Sequence, residues 1–484
     1  MTERTYEFLA EDPNANVKPI MISLIIGAFF AILNETLLNI ALTTLMIEFD
    51  ITVTEVQWMA TGFMLMMGIV IPASAVLLQW FTTRQMFLAT MTIFTFGTII
   101  CAVAPTFSIL IIGRFFQAVG TGLLVPIIFN TFLLIYPPYR RGAVMGVVGF
   151  VIMFAPAIGP TLSGVIVQYL GWRFLFITVI PFSLFSIFFA YKYLVNVSEV
   201  TKPRIDFISL VLSTIGFGGV VFGFSSAGEK DAGFFDPVVY GTIIIGVLSL
   251  VAFSFRQLRL KEPMIDIRVF CYPMYTFGVV TFFIIIMVMF ASEIILPLYM
   301  QGPLALAAAT AGLVLLPGSL MNGLLSPVMG HLFDRYGPKR LMLPGSIFLM
   351  LTMFIFSRLD LHTPLWLIIV TYIVLMISIS AMLMPAETNG LNQLPKHLYP
   401  HGTAVVSTLQ PVAGAIGVSA FISIMSARQA NVLQNMPNAS SDPLAIQKAL
   451  VSGVELVYFV GLFFAIVVFI MSFFVYRATP DDIE

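Results

Sequence analysis

Residues 330–340 read GHLFDRYGPKR, and they separate two long apolar runs, 304–329 and 338–357. Within eleven residues they carry His331, Asp334, Arg335, Lys339 and Arg340, in a chain that is only 10% charged. Gly330 and Gly337 mark a tight, glycine-permitted turn that brings one acid and several bases to a membrane face, where they pair with one another or with helix ends. A connection of this kind is needed only if the runs on either side are buried in something other than water.

The rest of the chain supports that reading. Of its 484 residues, 59% are hydrophobic, and the mean hydropathy is +1.01. Soluble domains carry roughly a quarter charged residues. Apolar stretches of about 18 residues or more recur from end to end, each long enough to cross about 30 Å of hydrocarbon as a helix. Lipid leaves backbone groups no water, and the stretches show no period-2 alternation, so helices are expected rather than a barrel. The expected class is an all-α polytopic membrane protein.

Fourteen spans are expected: 18–46, 56–80, 85–104, 108–135, 142–168, 172–195, 205–226, 237–256, 272–300, 304–329, 338–357, 363–392, 401–427 and 448–476. An even count places both termini on one side. Of the 23 Lys and Arg residues, Arg114 lies in a span, seventeen fall in loops on the side of the termini, and five fall on the other. That asymmetry predicts cytoplasmic termini. The first 17 residues are polar and mostly acidic, so no cleavable signal is expected before the first span. Cys101 and Cys271 fall in or beside different spans and suggest neither a disulfide nor a metal site.

The charged connections 196–206 and 256–268 divide the spans as six, two and six: residues 1–200, two additional central helices in 201–270, and 271–484. Six-helix halves built from inverted repeats are a transporter plan with a midplane site between them, although loop lengths alone suit an arbitrary grouping equally well. An enzyme would need a nucleophile, metal ligands or a His–acid pair at one depth, and His331, His362, His397 and His401 all fall at span ends or in loops. No GxxxxGK[ST] loop is present, which argues against ATP-driven transport by this chain alone.

The 330–340 segment closely resembles the cytoplasmic loop signature of the major facilitator superfamily. The corresponding stretch of the first half, VLLQWFTTRQM (76–86), departs from it: Trp80 stands in place of the acid and Thr83 in place of the second glycine, with Arg84 retained. IGRFFQAVGTG (112–122) resembles the family's arginine motif, and APAIGPTLSG (155–164), with Gly159, Pro160 and Gly164, resembles its antiporter motif. YLGWRFLFITVIP (169–181), LPLYMQGPLALAAATAGLVLLPG (296–318) and HGTAVVSTLQPVAGAIGVSAF (401–421) resemble segments of the fourteen-span drug:proton antiporters, in the branch grouped around lincomycin resistance.

The resemblance implies a major facilitator fold in a bacterial cytoplasmic membrane and proton-coupled multidrug efflux by alternating access. It implies lipophilic substrates and protons as partners, no cofactor, no nucleic acid and a monomer. A dedicated exporter of one endogenous metabolite, lipid or signalling molecule is the alternative. The latch between halves is implied at Gly330, Asp334, Arg335, Gly337 and Arg340.

In the first span, LNETLLNIAL (33–42) follows the family's pattern at Leu33, Thr36, Asn39, Ala41 and Leu42, but the acid position is Asn34, Glu35 follows it, and Thr43 replaces a proline. At about 1.5 Å per residue, Glu35 lies about 22 Å from the end of the run that starts at Ile20. Arg114 lies about 9 Å below the opposite edge, at nearly the same level. Glu35, Arg114 and Asn34 are therefore the proton-coupling candidates, with Glu35 paired to Arg114 directly, through Asn34 or through water. A static buried pair is the competing reading.

Glu293 is a second acid candidate or an interfacial acid, Glu387 a gate or a polar helix end, and Glu455 interfacial. Asn39, Gln117 and Met64 are the substrate-cavity candidates. The abundant Met and Phe suit an adaptable pocket or an ordinary lipid-facing surface. Asn438-Ala439-Ser440 is a glycosylation tripeptide of little weight.

Overall fold

The computed structural model describes residues 9–11, 17–136, 138–196, 206–227, 233–260, 263–395, 398–435 and 443–478. The expected boundary at 200/201, most of the 196–206 connection, Arg4, Lys202, Arg204, Lys230, Lys261, Lys396, His397 and the 438–440 tripeptide lie outside the described residues.

The described chain is helical throughout: α1 (Val17–Leu37), α2 (Leu42–Phe49), α3 (Val53–Val56), α4 (Trp58–Trp80), α5 (Thr83–Val103), α6 (Phe107–Ile135), α7 (Pro138–Tyr169), α8 (Arg173–Tyr193), α9 (Phe207–Ser226), α10 (Pro237–Arg259), α11 (Pro273–Gln301), α12 (Ala308–Tyr336), α13 (Lys339–Phe356), α14 (Leu365–Gln393), α15 (Tyr399–Gln434) and α16 (Pro443–Phe474). Among the described residues, thirteen helices are long and apolar enough to cross a membrane. α7, 32 residues long, occupies the fifth expected span.

Two expectations need correction. The first span is not one helix: α1 stops at Leu37, residues 38–41 form turns, and α2 resumes at Leu42. Neither Gly nor Pro interrupts this stretch. Thr36 Oγ1 donates back to the Leu33 carbonyl (3.3 Å) in the last turn before the break, although Ser23 makes the same kind of bond to the Ile20 carbonyl within the unbroken part of α1. In addition, most of 330–340 is helix rather than loop. α12 runs on through Tyr336, and the turn falls on Gly337 at φ 78°, a left-handed position that favours glycine, just before α13 starts at Lys339. A helix of 29 residues outruns the hydrocarbon, so its polar last turns can stay helical in water.

Helix ends carry their caps in the sequence. Thr82 and Gln85 form a capping box at α5, and Thr52 and Glu55 form one at α3. Asp206 caps α9 and also takes a bidentate bond from Arg256 at the end of α10 (2.8 Å). That guanidinium and the Ser209 donors hold the Asp206 carboxyl down to about 2. The α9–α10 hairpin thus stays charge-paired at its base while pH falls through the ordinary carboxylate range.

Helices α1 and α4–α8 pack on one another, as do α11–α16. The two groups meet along α7/α12 and α4/α15, and α9 lies against both α4 and α15. Close approach inside the first group depends on glycine at α5/α6. A Cβ on Gly97 would sit 2.6 Å from the Gly113 carbonyl and 2.7 Å from the Gln117 nitrogen, both backbone atoms that cannot yield. Gly97→Val should therefore lower stability by about 1–3 kcal/mol through overpacking. The check is the thermal midpoint of detergent-purified protein, which should fall while that of Gly218→Val, with nothing within 4 Å, moves little.

Candidate functional site

Arg114 sits on α6 with 1% exposure, inside the first helix group. Its Nη1 donates to Asn34 Oδ1 (2.7 Å), to the Asn34 carbonyl (3.3 Å) and to Gln117 Oε1 (3.1 Å), while Nε donates to the Met59 carbonyl (3.3 Å). The guanidinium lies over the Phe63 ring at 4.0 Å. Gln117 is fixed in turn by donating Nε2 to Thr98 Oγ1 (2.9 Å). One cation thus binds α1, α4 and α6 directly and α5 through Gln117. A buried charge needs acceptors brought to it in this way, and here Nη1 and Nε have them while Nη2 does not.

The direct ion pair between Glu35 and Arg114, one of the three arrangements considered, is not formed. Among the described residues no carboxylate lies within salt-bridge distance of Arg114, and Asn34 holds it instead. Glu35 is half-buried on the next residue of the helix, within electrostatic reach of Arg114. Two donors beside it, Asn34 Nδ2 and Arg114 Nη2, are buried and have no partner. They make a ready receptor for a carboxylate.

Glu293, half-buried on α11, lies close enough to Glu35 for the two carboxylates to act on each other, and Tyr372 of α14 faces Glu293 in the same way. The acids of the two groups therefore approach one another across the seam. Glu387 lies elsewhere, lining a small cleft with Tyr275, Gly278 and Gly390. Glu455 sits in the fourth turn of α16, under the influence of Arg358, Asp360 and Arg428. Asn39, Gln117 and Met64, proposed from sequence as cavity residues, are at most 5% exposed. Met64 packs on Gly414 of α15, so none of the three forms open wall in this conformation.

The glycines and proline at 159–164 lie on contacts. A Cβ on Gly159 would fall 2.1 Å from Thr36 Oγ1, beside the break in the first span. At Gly164 it would fall 2.4 Å from the Ala308 carbonyl, and at Gly312 2.5 Å from the Pro160 carbonyl. Thr161 Oγ1 donates to the Gly312 carbonyl (3.0 Å), and Gln168 Oε1 accepts from Ala309 N (3.2 Å). α7 and α12 are therefore closed together at the end of the bundle away from Val17 and Phe474, termed here the far end. Gln301 Nε2 closes the same end by donating to the Ile40 carbonyl (3.0 Å).

At the opposite end the candidate latch residues bond within their own group. The Asp334 carbonyl accepts from Arg477 Nη2 (2.9 Å), Arg335 lies over Tyr336, Lys339 Nζ donates to the Phe473 carbonyl (2.8 Å), and Arg340 is exposed. Gly330 sits inside α12, and a Cβ there would make only an ordinary 3.7 Å contact with Met384, so this glycine serves no turn. Arg84, the remaining charge of the first-half loop, binds the Tyr191 carbonyl and ring of α8. Sequence reasoning missed Gln301, Thr98 and Phe63. A single amide at the end of an apolar run was the only signal for Gln301, and its partner is a backbone atom.

Two groups of membrane-length helices packed on each other and sealed at one end, with a charge buried inside the first, define a polytopic membrane protein. The Major Facilitator Superfamily model matches residues 24–418, and the chain belongs to that family. It is 50% identical over 465 residues to the Lincomycin resistance protein LmrB of Bacillus subtilis (strain 168), covering 96% of this chain and 97% of that protein. It is 29% identical over 416 residues to the Multidrug resistance protein B homolog of Mycobacterium tuberculosis (strain ATCC 25618 / H37Rv), covering 84% and 76%. The fold resembles the inward-facing, unoccupied crystal structure of a bacterial homolog of the human lysosomal transporter Spinster, with a TM-score of 0.70, 12% identity, and 94% and 96% of the chains covered. The protein is thus a multi-pass protein of the bacterial cytoplasmic membrane, and its family and relatives are transporters.

Arg114→Lys should be severely destabilising. An ammonium cannot span Asn34, Met59 and Gln117 together, and breaking a buried charge network costs about 3–5 kcal/mol. Thermal unfolding in detergent should show a drop well beyond that of Arg84→Lys, whose side chain is exposed.

Proposed function

We propose that this chain exports lipophilic drugs in exchange for protons, with Glu35 as the proton carrier. The observation that carries the reading is the pair of unpartnered buried donors, Asn34 Nδ2 and Arg114 Nη2, beside a half-buried Glu35. Deprotonated, Glu35 turns toward these donors; protonated, it loses its attraction to Arg114 and is released toward the seam. Glu293, across the seam, is the second acid, and the repulsion between the two carboxylates makes the doubly ionised closed state unfavourable. Substrate competes with the proton for the same arrangement. The named activities of the lincomycin and multidrug resistance relatives support drugs as the cargo.

Topology completes the proposal. Fourteen spans grouped as six, two and six (1–200, 201–270 and 271–484) place both termini in the cytoplasm, so the sealed far end is the extracellular one. Gly159, Pro160 and Gly164 form the seam that closes that end, and Gly330, Asp334, Arg335, Gly337 and Arg340 act as a latch in the opposite conformation. Glu387 is held as a gate on the cytoplasmic side. The transporter works as a monomer in the bilayer, without a cofactor.

The test uses everted vesicles with an inside-acid gradient and a panel of lipophilic cations and lincosamides. Wild type should release protons on substrate addition, and Glu35→Gln should abolish that release. Release that persists in Glu35→Gln would keep antiport and move the proton to Glu293. No response to any drug by folded wild-type protein would favour a dedicated metabolite exporter.

A further inference from the structure

The break in the first span creates a polar demand inside an apolar segment. Asn39 N donates to the Thr36 carbonyl (3.2 Å) and Ala41 N to the Leu38 carbonyl (2.9 Å), closing the turns. The carbonyl of Ile40, a residue with no exposed surface, lies outside both helices and receives the Gln301 amide at 3.0 Å. A backbone carbonyl without a partner is unfavourable in a membrane interior. Gln301 is the last residue of α11 and belongs to the other helix group.

Ile40 cannot follow α11 if that helix moves away, because α2 is fixed to its own group. Glu48 takes a bond from Arg173 Nη1 (2.8 Å) and another from Trp172 Nε1 (2.6 Å), and Arg173 Nη2 also reaches the Ala104 carbonyl (3.2 Å). Burial raises the Glu48 carboxyl, but the Arg173 and Trp172 bonds outweigh it and hold the group below the ordinary carboxylate range. The anchor therefore persists through neutral and mildly acid pH. The other far-end bonds, Thr161 to Gly312 and Gln168 to Ala309, join α7 to α12 and touch neither α1 nor α11. Gln301 alone among these ties joins the helix that carries Glu293 to the segment that follows Glu35.

We propose that Gln301 is the far-end gate residue: its amide closes the two groups by capping the carbonyl that the broken first span leaves at Ile40. Opening the far end must break this bond and hand the carbonyl to water, so the break and the amide together set the balance between the two conformations. Gln301 is a positioning residue and touches no substrate. The inference rests on the two-state transport cycle but not on drugs or protons as cargo.

The experiment uses the full chain in nanodiscs, with Cys101 and Cys271 replaced by alanine and spin labels on Ile47 and Leu444, both exposed at the far end. Electron paramagnetic resonance distances then report far-end opening. Loss of one such hydrogen bond corresponds to about a tenfold change in the equilibrium, so Gln301→Leu should raise the open-to-closed ratio by about that factor. Gln301→Glu should open the far end at least as much as the leucine variant at pH 8, where its carboxylate and the Ile40 carbonyl are both acceptors, and return toward wild type at pH 5, where a protonated carboxyl can again donate. Glu35, Glu48 and Arg173 on one side, and Glu293, Arg358, Asp360, Arg428 and Glu455 on the other, are common to wild type and variants. The difference between them at each pH therefore isolates residue 301.

A leucine variant with the wild-type distribution, or a glutamate variant without the return at pH 5, would overturn the proposal. If the leucine variant fails to fold, the pH 5 and pH 8 comparison on the glutamate variant decides alone. Because the readout needs no substrate, a protein that pumps no drug can still show the gate, and failure of one reading is distinguishable from failure of the other.

Discussion

The first helix group is organised by the burial of one guanidinium. Arg114 cannot lose its charge at any physiological pH, so a chain that places it in the membrane must bring acceptors to it from several directions. Here they come from Asn34 on α1, the Met59 carbonyl on α4 and Gln117 on α6 itself, with Thr98 on α5 holding Gln117 in place. Glycines let α5 and α6 close to backbone contact around this network. Four helices are thereby fixed relative to one another by a polar interaction, in a medium where apolar burial gives helices little reason to associate.

The second constraint is the seam. α7 and α12 meet through Pro160, Gly164, Ala308 and Gly312, residues without bulk, so that backbone carbonyls of one helix lie where a Cβ of the other would be. Such a contact is strong when closed and leaves little behind when open, because few side chains interlock across it. The contact of α11 with the first span differs in kind: beside a light approach to α2 it has a directional hydrogen bond onto a freed carbonyl. The central pair adds a third kind of contact. Gln57 of the α3–α4 junction donates to the Ser225 carbonyl (3.2 Å) and Ser225 pairs with Ser419 (2.6 Å), so α9 touches both helix groups at the far end.

Much of the fold was legible in the sequence because lipid imposes a length on every helix and the charged connections mark where helices turn. Each later run read as a span contains one helix, with ends that differ by as many as seven residues at α12 and α15, while the first run holds two. What failed did so for physical reasons. The polar end of α12, from His331 to Tyr336, reads as loop because composition reports the surrounding medium rather than the backbone, and a helix leaving the bilayer stays a helix. The interruption at 38–41 was hidden because the stretch contains neither Gly nor Pro, and a threonine bonding back to its own backbone is equally at home in unbroken helices. That Arg114 stands level with residues 34 and 35 could be read from the sequence, while the choice of Asn34 over Glu35 as its partner depends on a rotation of about 100° per residue that small errors in helix phase erase.

That last distinction bears on how the proposed exchange would work. Had the acid stood at position 34, it would have been the group bonded to Arg114, and the charge that organises the helix group would also be the charge that titrates. Every proton bound would then loosen the packing of α1, α4 and α6. With an amide at 34, Arg114 keeps its 2.7 Å partner whatever the pH, since asparagine does not ionise. The carboxylate is displaced to the neighbouring position, half-buried and within electrostatic reach of the acid of the other group. Moving the acid by one residue thus separates holding the structure from responding to protons, and on the proposed reading it lets Glu35 change charge without dismantling the network beside it.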